Sequence, residues 1–307
     1  MNITLLESPD WKDYELLDSG DGLKLERFGV YRFVRPEAQA IWKRGLPEAA
    51  WSEAHAVFEP TSEESGGHWQ VRRKLPEKWT LDYKGLRFAV MTTPGRHLGV
   101  FPETAAHWDW VEDLVTRAGR PVKVLNLFGY TGIASLAVAR AGAQVTHIDA
   151  SKKSVMWARE NQELSGLGEK PIRWIVEDAL KFVQREGRRG ARYDGIILDP
   201  PKFGRGPKGE VWEVYAGLPE LLADCRRILG DRPLFMALTM YAVRASAVHV
   251  YQSLEELLRP FNGITEAGEL VTRESSRGRL LSQAVYARWG ARQIPKSQNK
   301  RGSDDIA

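Results

Sequence analysis

Four polar segments in this chain each follow a short apolar run, and their order gives them chemical meaning. Asn126-Leu127-Phe128-Gly129-Tyr130-Thr131-Gly132 follows the run from Val122, and Asp149-Ala150-Ser151 follows Val145 to Ile148. Glu177-Asp178-Ala179 follows 172–176, and Asp199-Pro200-Pro201-Lys202-Phe203 follows Ile196-Ile197-Leu198. Glycines in the first segment permit a sharp turn and close approach of a ligand to the backbone. An acid twenty residues after Gly129, Asp149, is placed to accept hydrogen bonds from both hydroxyls of a ribose. An acid in the third segment can accept from an adenine amino group. In the fourth, two prolines stiffen the loop and leave its carbonyls free of backbone competition. Asp199 and those carbonyls can accept from a planar substrate, and Phe203 offers it a ring face. Singly, Asp149 reads as a helix cap and Asp199-Pro200-Pro201 as a rigid turn. Together, at successive strand tips, they mark a ligand site.

The elements that must position these segments are regular after Pro121. Strands are predicted at 122–127, 144–148, 172–176, 194–198 and 233–239, with helices at 132–141, 151–164, 179–187, 213–229 and 246–259. Such alternation predicts a doubly wound α/β fold, a parallel sheet covered on both faces, which binds ligands at the carboxyl ends of its strands. The ending departs from the alternation. Gly268 to Thr272 and Ser282 to Trp289 read as two antiparallel strands with no useful helix between them. Dinucleotide-binding dehydrogenases, which share the ribose acid, continue with helices instead.

Residues 1–85 have a different texture. Short alternating segments (Tyr14 to Leu17, Lys24 to Phe28, Val30 to Val34, His68 to Val71) broken by Gly and Pro predict a small, mostly β domain with one helix. Its tryptophans, Trp11, Trp42, Trp51, Trp69 and Trp79, read mainly as core, with a base-stacking platform as the alternative. Tyr83 to Phe88 and Leu98 to Phe101 read as a hairpin, and Pro102-Glu103-Thr104 as the start of a helix running to Ala118. The expected division is 1–85, a recognition domain; 86–290, the ligand-binding domain; and 291–307, a basic, disordered tail.

Composition narrows the function. At 43% hydrophobic and 27% charged, with no run long enough to span a membrane, the chain reads as soluble and cytoplasmic, without membrane partners. Its first ten residues lack the basic start and apolar core of a signal peptide. One cysteine excludes a disulfide framework, and the six histidines show no metal spacing, so no metal is expected. Net charge of +4 permits an anionic partner. Among the basic clusters, Lys202, Arg205 and Lys208 stand out because they follow the Asp-Pro-Pro segment.

The segments at 126–132, 147–151 (His-Ile-Asp-Ala-Ser), 177–179 and 199–203 together resemble a class I S-adenosylmethionine-dependent methyltransferase. More closely, they resemble the group containing the large-subunit ribosomal RNA cytosine-C5 methyltransferases and the related guanine-N7 enzyme domain. The likeness covers roughly residues 83 to 290. It implies S-adenosylmethionine as cofactor, S-adenosylhomocysteine as product, and RNA, in particular ribosomal RNA, as partner. It further implies that Phe128 to Gly132 surround the methionine part and Asp149 holds the ribose. Asp178 would hold the adenine amino group, with Glu177 and Ala179 beside it, and Asp199 to Phe203 would border the methyl acceptor. Phe101 matches a hydrophobic segment bordering the site, where this chain reads Gly-Val-Phe-Pro-Glu-Thr and relatives have an acid followed by Gln-Arg.

One departure bears on the chemistry. Carbon-5 of a pyrimidine is a poor nucleophile, and the C5 relatives activate it with a cysteine thiolate just after the fifth strand. The corresponding stretch here is Ala237-Leu238-Thr239-Met240-Tyr241, without a thiol. Cys225 shares a predicted helix face with Leu221, Leu222, Ile228 and Leu229, a core position. The expectation is a base position that needs no cysteine nucleophile. A small-molecule or protein methyltransferase and a catalytically inactive RNA-binding relative are the alternatives.

Overall fold

The structure, a computed structural model, describes residues 3–8, 11–61, 66–241 and 245–292. The expected tail from 293 onward and the middle of the 59–67 loop lie outside the described residues.

In chain order the strands are β1 (Ile3–Glu7), β2 (Tyr14–Gly20), β3 (Leu23–Phe28), β4 (Tyr31–Pro36), β5 (Ala56–Pro60), β6 (Gly67–Val71), β7 (Trp79–Tyr83), β8 (Leu86–Val90), β9 (Lys123–Leu127), β10 (Gln144–Asp149), β11 (Ile172–Val176), β12 (Gly195–Leu198), β13 (Phe203–Arg205), β14 (Val211–Glu213), β15 (Phe235–Met240), β16 (Gly263–Arg273) and β17 (Leu280–Ala291). The helices are α1 (Glu48–Ser52), α2 (Ala105–Arg117), α3 (Ile133–Arg140), α4 (Lys152–Leu164), α5 (Ala179–Arg188), α6 (Val214–Ile228) and α7 (Ala247–Leu258), with a 3-10 turn at Pro102–Thr104. Among the described residues, no helix is long and apolar enough to cross a membrane.

The eight-stranded sheet runs β1-β16-β17-β15-β12-β9-β10-β11. Strands β9 to β12 and β15 pair in parallel, and β17 enters antiparallel between β15 and β16. Strand β12 is buried along its whole length and β9 at all but its first residue, as strands covered on both faces must be. Helices α5, α6 and α7 pack one face around Phe182, Leu221 and Val250, while α2 and α3 cover the other through Val111, Leu114 and Val138. Local signals start the helices that follow the strand tips. Ser151 accepts the Ser154 N–H at 3.2 Å and Asp178 the Lys181 N–H at 2.9 Å, capping α4 and α5. The predicted β/α alternation and terminal antiparallel pair are present, with the final strands longer than the sequence suggested.

Strand β1 precedes the small β module in sequence yet stands at the edge of the large sheet. It pairs with β16 in parallel from Ile3 opposite Ala267 to Glu7 opposite Val271. The module itself is the sheet β2-β3-β4-β5-β6. It keeps a small cluster of its own, Leu25, Val34, Trp51 and Ala54, and shares a second, larger one with the rest of the molecule. Trp11, Tyr14, Phe28 and Phe33 of the module join Phe88 and Val90 of β8, Trp108 of α2 and Leu136 of α3 in one apolar cluster. Trp11 and Trp51 are buried, while Trp42, Trp69 and Trp79 are half-buried against core residues. Inside the module the Arg35 guanidinium donates to both oxygens of Glu26 at 2.7 Å, and the Tyr14 hydroxyl adds a third bond at 2.9 Å.

The hairpin differs from the sequence reading. Its turn falls at Lys84-Gly85, with φ of 48° and 84°, so Tyr83 ends one strand and Leu86 opens the next. Two consecutive positive φ values mark the tight turn whose twist matches a hairpin. A lysine in the first of those positions carries little signal in the sequence. The segment Leu98 to Phe101 is not a strand; it leads into the 3-10 turn and α2.

Candidate active site

The tip of β9 turns through a loop whose backbone is left-handed at Phe128 (φ 56°), Tyr130 (φ 50°) and Gly132 (φ 82°). Two non-glycine residues in that region cost free energy, of order 1–3 kcal/mol each, and persist only where neighbours enforce them. The neighbours here are specific. The Tyr130 N–H donates to the Asp149 carboxylate at 2.9 Å, the Thr131 hydroxyl to the Gly99 carbonyl at 2.7 Å, and the Asn161 amide to the Thr131 carbonyl at 2.9 Å. Behind the loop, the Asn126 amide donates to Ser135, whose hydroxyl lies 3.0 Å from the His147 ring. Burial pushes the His147 ring down to about 3, so it is neutral. Gly129 is required by this packing, since a Cβ there would lie 2.4 Å from the His147 ring.

Asp149, at the tip of β10, accepts the Tyr130 N–H on one oxygen and the Ser151 N–H, at 2.8 Å, on the other. Burial raises its pKa while the two N–H donors oppose the shift. Each oxygen keeps a lone pair for a further donor. Ala150 follows half-buried. At the third tip, Glu177 is ion-paired with Arg185, Asp178 spends one oxygen on its helix cap, and Ala179 is buried.

The ends of β9, β12 and β15 open onto a cavity. It is lined by Asn126, Phe128, Gly129, Tyr130 and Thr131 from the first tip, and by Ile197 and Asp199 from β12 and its loop. Thr239 of β15, Val100, Phe101, and Thr104, His107, Trp108 and Val111 of the turn and α2 complete it with Ile133 and Ala134. Gly132, Asp149, Ala150, Ser151, Glu177, Asp178 and Ala179 lie outside this lining. Above it, Phe101 gathers an aromatic cluster: its ring lies 5.0 Å from Tyr241, 5.8 Å from Tyr130 and 4.9 Å from His97.

Asp199 is the most perturbed carboxyl of the site. Burial pushes it up to about 8, and the nearby Glu103 carboxylate adds to the rise. Glu103 is itself buried and raised, chiefly by desolvation, against the pull of Lys24 and Arg35 of the module. The Tyr241 hydroxyl is buried beside both acids, and burial and their charges hold its proton firmly, although no hydrogen bond of good geometry reaches it. The charged groups of the β module therefore act on Glu103, whose charge acts in turn on Asp199 in the cavity wall.

The Asp-Pro-Pro segment divides. Pro200 is buried and Pro201 exposed; the Pro201 carbonyl accepts the Trp212 indole N–H at 2.8 Å, and the Trp212 ring lies tilted 5.0 Å from that of Phe128. Phe203 lies outside the cavity lining, 55% exposed on the hairpin β13–β14 with Arg205. Lys202 precedes it, exposed, and Lys208 lies in the connecting turn. Cys225 faces the core from α6, and burial pushes its thiol well up.

His107, Thr104, Trp108, Thr239 and Tyr241 were not among the residues the sequence singled out. Thr239 and Tyr241 sit at and just past the fifth strand, a tip where the sequence drew attention only to the missing thiol. His107 lies four residues before Val111 on α2 and reads as one more buried helix position.

A family model described as S-adenosylmethionine-dependent methyltransferase matches residues 36–256. The Ribosomal RNA large subunit methyltransferase K/L of Shewanella sp. (strain ANA-3) is 31% identical over 201 residues, 61% of this chain and 27% of that protein. The chain thus spans about a quarter of the length of that curated relative. A solved structure of a SAM-dependent methyltransferase from Agrobacterium tumefaciens is 49% identical, with a TM-score of 0.90 over 94% of each chain. A second, described as a methyltransferase complexed with SAH, is 19% identical with a TM-score of 0.70, covers 90% of this chain and 75% of that one, and shows the same fold.

Proposed function

This chain belongs to the S-adenosylmethionine-dependent methyltransferase family, and from that premise we propose that it methylates a nitrogen or oxygen of an RNA base, with ribosomal RNA as the substrate class. The observation that carries the reading is the cavity itself. It opens where the ends of β9, β12 and β15 converge, between the enforced loop of Phe128 and Tyr130 and the desolvated carboxyl of Asp199. The name of the K/L relatives supports RNA, as do the basic residues Lys202, Arg205 and Lys208 on the adjoining segment.

The residues present fit the cofactor. The loop of Phe128 to Gly132 wraps the methionine part, and Asp149 holds the ribose with its remaining lone pairs. The free oxygen of Asp178 serves the adenine amino group, a task for which Glu177 is less suited because Arg185 engages it. S-adenosylmethionine supplies a methyl group made electrophilic by the attached sulfonium. Asp199, Phe101 and Tyr241 border the acceptor and exclude water from it. A nitrogen or oxygen lone pair would attack the methyl carbon in line as its bond to sulfur breaks and S-adenosylhomocysteine leaves, with the protein contributing positioning and desolvation and no covalent help. The sole cysteine, buried in α6, supports a reaction without a thiolate.

The test is methyl transfer from labelled S-adenosylmethionine to total RNA and to ribosomal particles lacking their modifications, followed by digestion to nucleosides. Label in a nitrogen- or oxygen-methylated nucleoside is the expected result. Label in 5-methylcytosine would overturn the acceptor assignment, and cofactor binding with no labelled RNA would shift the reading to a small-molecule or protein substrate.

A further inference from the structure

His107 is a buried histidine with nothing to do. It is 5% exposed, both of its ring nitrogens lack a hydrogen-bond partner, and it lines the cavity. Buried polar groups in folded proteins are nearly always satisfied, and the exceptions ask for a ligand or a water. Packing holds the ring in place: it meets Tyr286 edge-on at 5.2 Å, and the Tyr286 hydroxyl is bonded to Thr4 of β1 at 2.5 Å. Burial and the neighbouring Arg288 push the imidazole down to about 3, so it is neutral, with one N–H donor and one acceptor nitrogen. Arg288 gives that end of the cavity a positive field suited to an anion, partly offset by its ion pair with Glu266.

Three of the cavity's other polar walls have partners already. Asn126 donates to Ser135, and Thr104 and Thr131 donate to backbone carbonyls. We propose that His107 is a cofactor-positioning residue whose ring N–H donates to the carboxylate of the cofactor's methionine part. This rests on the reading of the cavity as the cofactor site. A donor in this position anchors the end of the cofactor remote from the adenine, and so fixes the direction in which the methyl group faces the acceptor.

The experiment compares two ligands on the full chain by calorimetry. S-adenosylhomocysteine carries the amino acid end, and 5′-methylthioadenosine lacks it. His107→Leu should weaken S-adenosylhomocysteine about ten- to a hundredfold, the range of a hydrogen bond to a charged group, and leave 5′-methylthioadenosine unchanged. His107→Gln, which retains a donor, should recover part of the loss. Equal losses for both ligands, or no loss for either, would overturn the proposal. Failure of the wild-type protein to bind either ligand would instead sink the cofactor-site reading beneath it. Should His107→Leu not fold, the ring nitrogens of wild-type His107 report directly by 15N NMR. A shift with S-adenosylhomocysteine and none with 5′-methylthioadenosine supports the proposal; the same spectrum with both refutes it.

Discussion

The backbone N–H of Tyr130 donates to the side chain of Asp149 at 2.9 Å, tying the loop after the first strand of the β/α series to the tip of the second. Asp149 thus has two tasks: it enforces a left-handed residue, and it presents lone pairs to a ribose. Asp149→Ala should lower S-adenosylhomocysteine affinity by tenfold or more, about 1.5–3 kcal/mol. Calorimetry gives the affinity, and 5′-methylthioadenosine, which retains the ribose, should lose affinity as well. An effect confined to S-adenosylhomocysteine would refute the ribose assignment.

Asp199 predicts a pH dependence. A carboxyl raised to about 8 in the folded state holds a proton that the unfolded chain releases near 3.8. The sign follows from linkage: any penalty is absent below the unfolded value and grows as pH rises from about 4 to about 8, where the folded group finally ionises. The cofactor-free protein should therefore lose thermal stability across that window more steeply than Asp199→Asn. Binding of the cationic cofactor near pH 7 should also expel a proton, visible as a dependence of calorimetric enthalpy on buffer. A buffer-independent enthalpy would argue against a protonated Asp199.

Gly129 predicts a steric effect. The Cβ of Gly129→Ala would sit 2.4 Å from a ring carbon and 2.5 Å from a ring nitrogen of His147, which is fully buried. A cost of about 1–3 kcal/mol is expected in chemical denaturation, with a distorted loop and weakened cofactor binding. An unchanged denaturation midpoint would show that the loop yields more easily than its packing suggests.

The Glu26–Arg35 pair predicts a stability effect in the β module. Both side chains are almost wholly buried, so Arg35→Met leaves the carboxylate with only the looser Lys24 ammonium, 3.9 Å away, and should cost up to about 3–5 kcal/mol. Removing both charges, as Glu26→Gln with Arg35→Met, should restore much of the loss. If the double variant is no more stable than the single one, the pair matters through packing and not through charge.

The exposed hairpin predicts the behaviour toward nucleic acid. Arg205→Ala with Lys208→Ala should weaken RNA binding and reduce its salt dependence, by about 0.7 in the log–log slope for each phosphate no longer neutralised. S-adenosylhomocysteine binding should stay as it was. An unchanged salt slope would place the RNA elsewhere.

How far the sequence foretold this molecule depended on the range of the forces involved. The β/α series was legible because apolar periodicity and caps such as Ser151 and Asp178 are local. Asp149 and Gly129 were legible because their positions at strand tips follow from that series. The Lys84–Gly85 turn was not, since a lysine with positive φ leaves no pattern. Phe203 was expected to offer its ring to a substrate beside the pocket; pairing with Glu213 instead puts it on an exposed hairpin outside the lining. His107 was illegible in principle. Its importance lies in hydrogen bonds it does not make, and that becomes visible only once every neighbour is in place.

Strand β1 has a consequence for how the protein is made. Thr4 contacts Ala267 across 263 positions and Tyr286 across 282, so this strand has no pairing partner until β16 emerges from the ribosome. At about 5–20 residues per second, that wait is roughly 13 to 56 seconds. The β module and the β/α units can settle earlier through contacts nearer in sequence, but the ring that braces His107 is translated 282 residues after Thr4. Nascent chains stalled before residue 286 should therefore be folded over much of their length and still fail to retain S-adenosylhomocysteine.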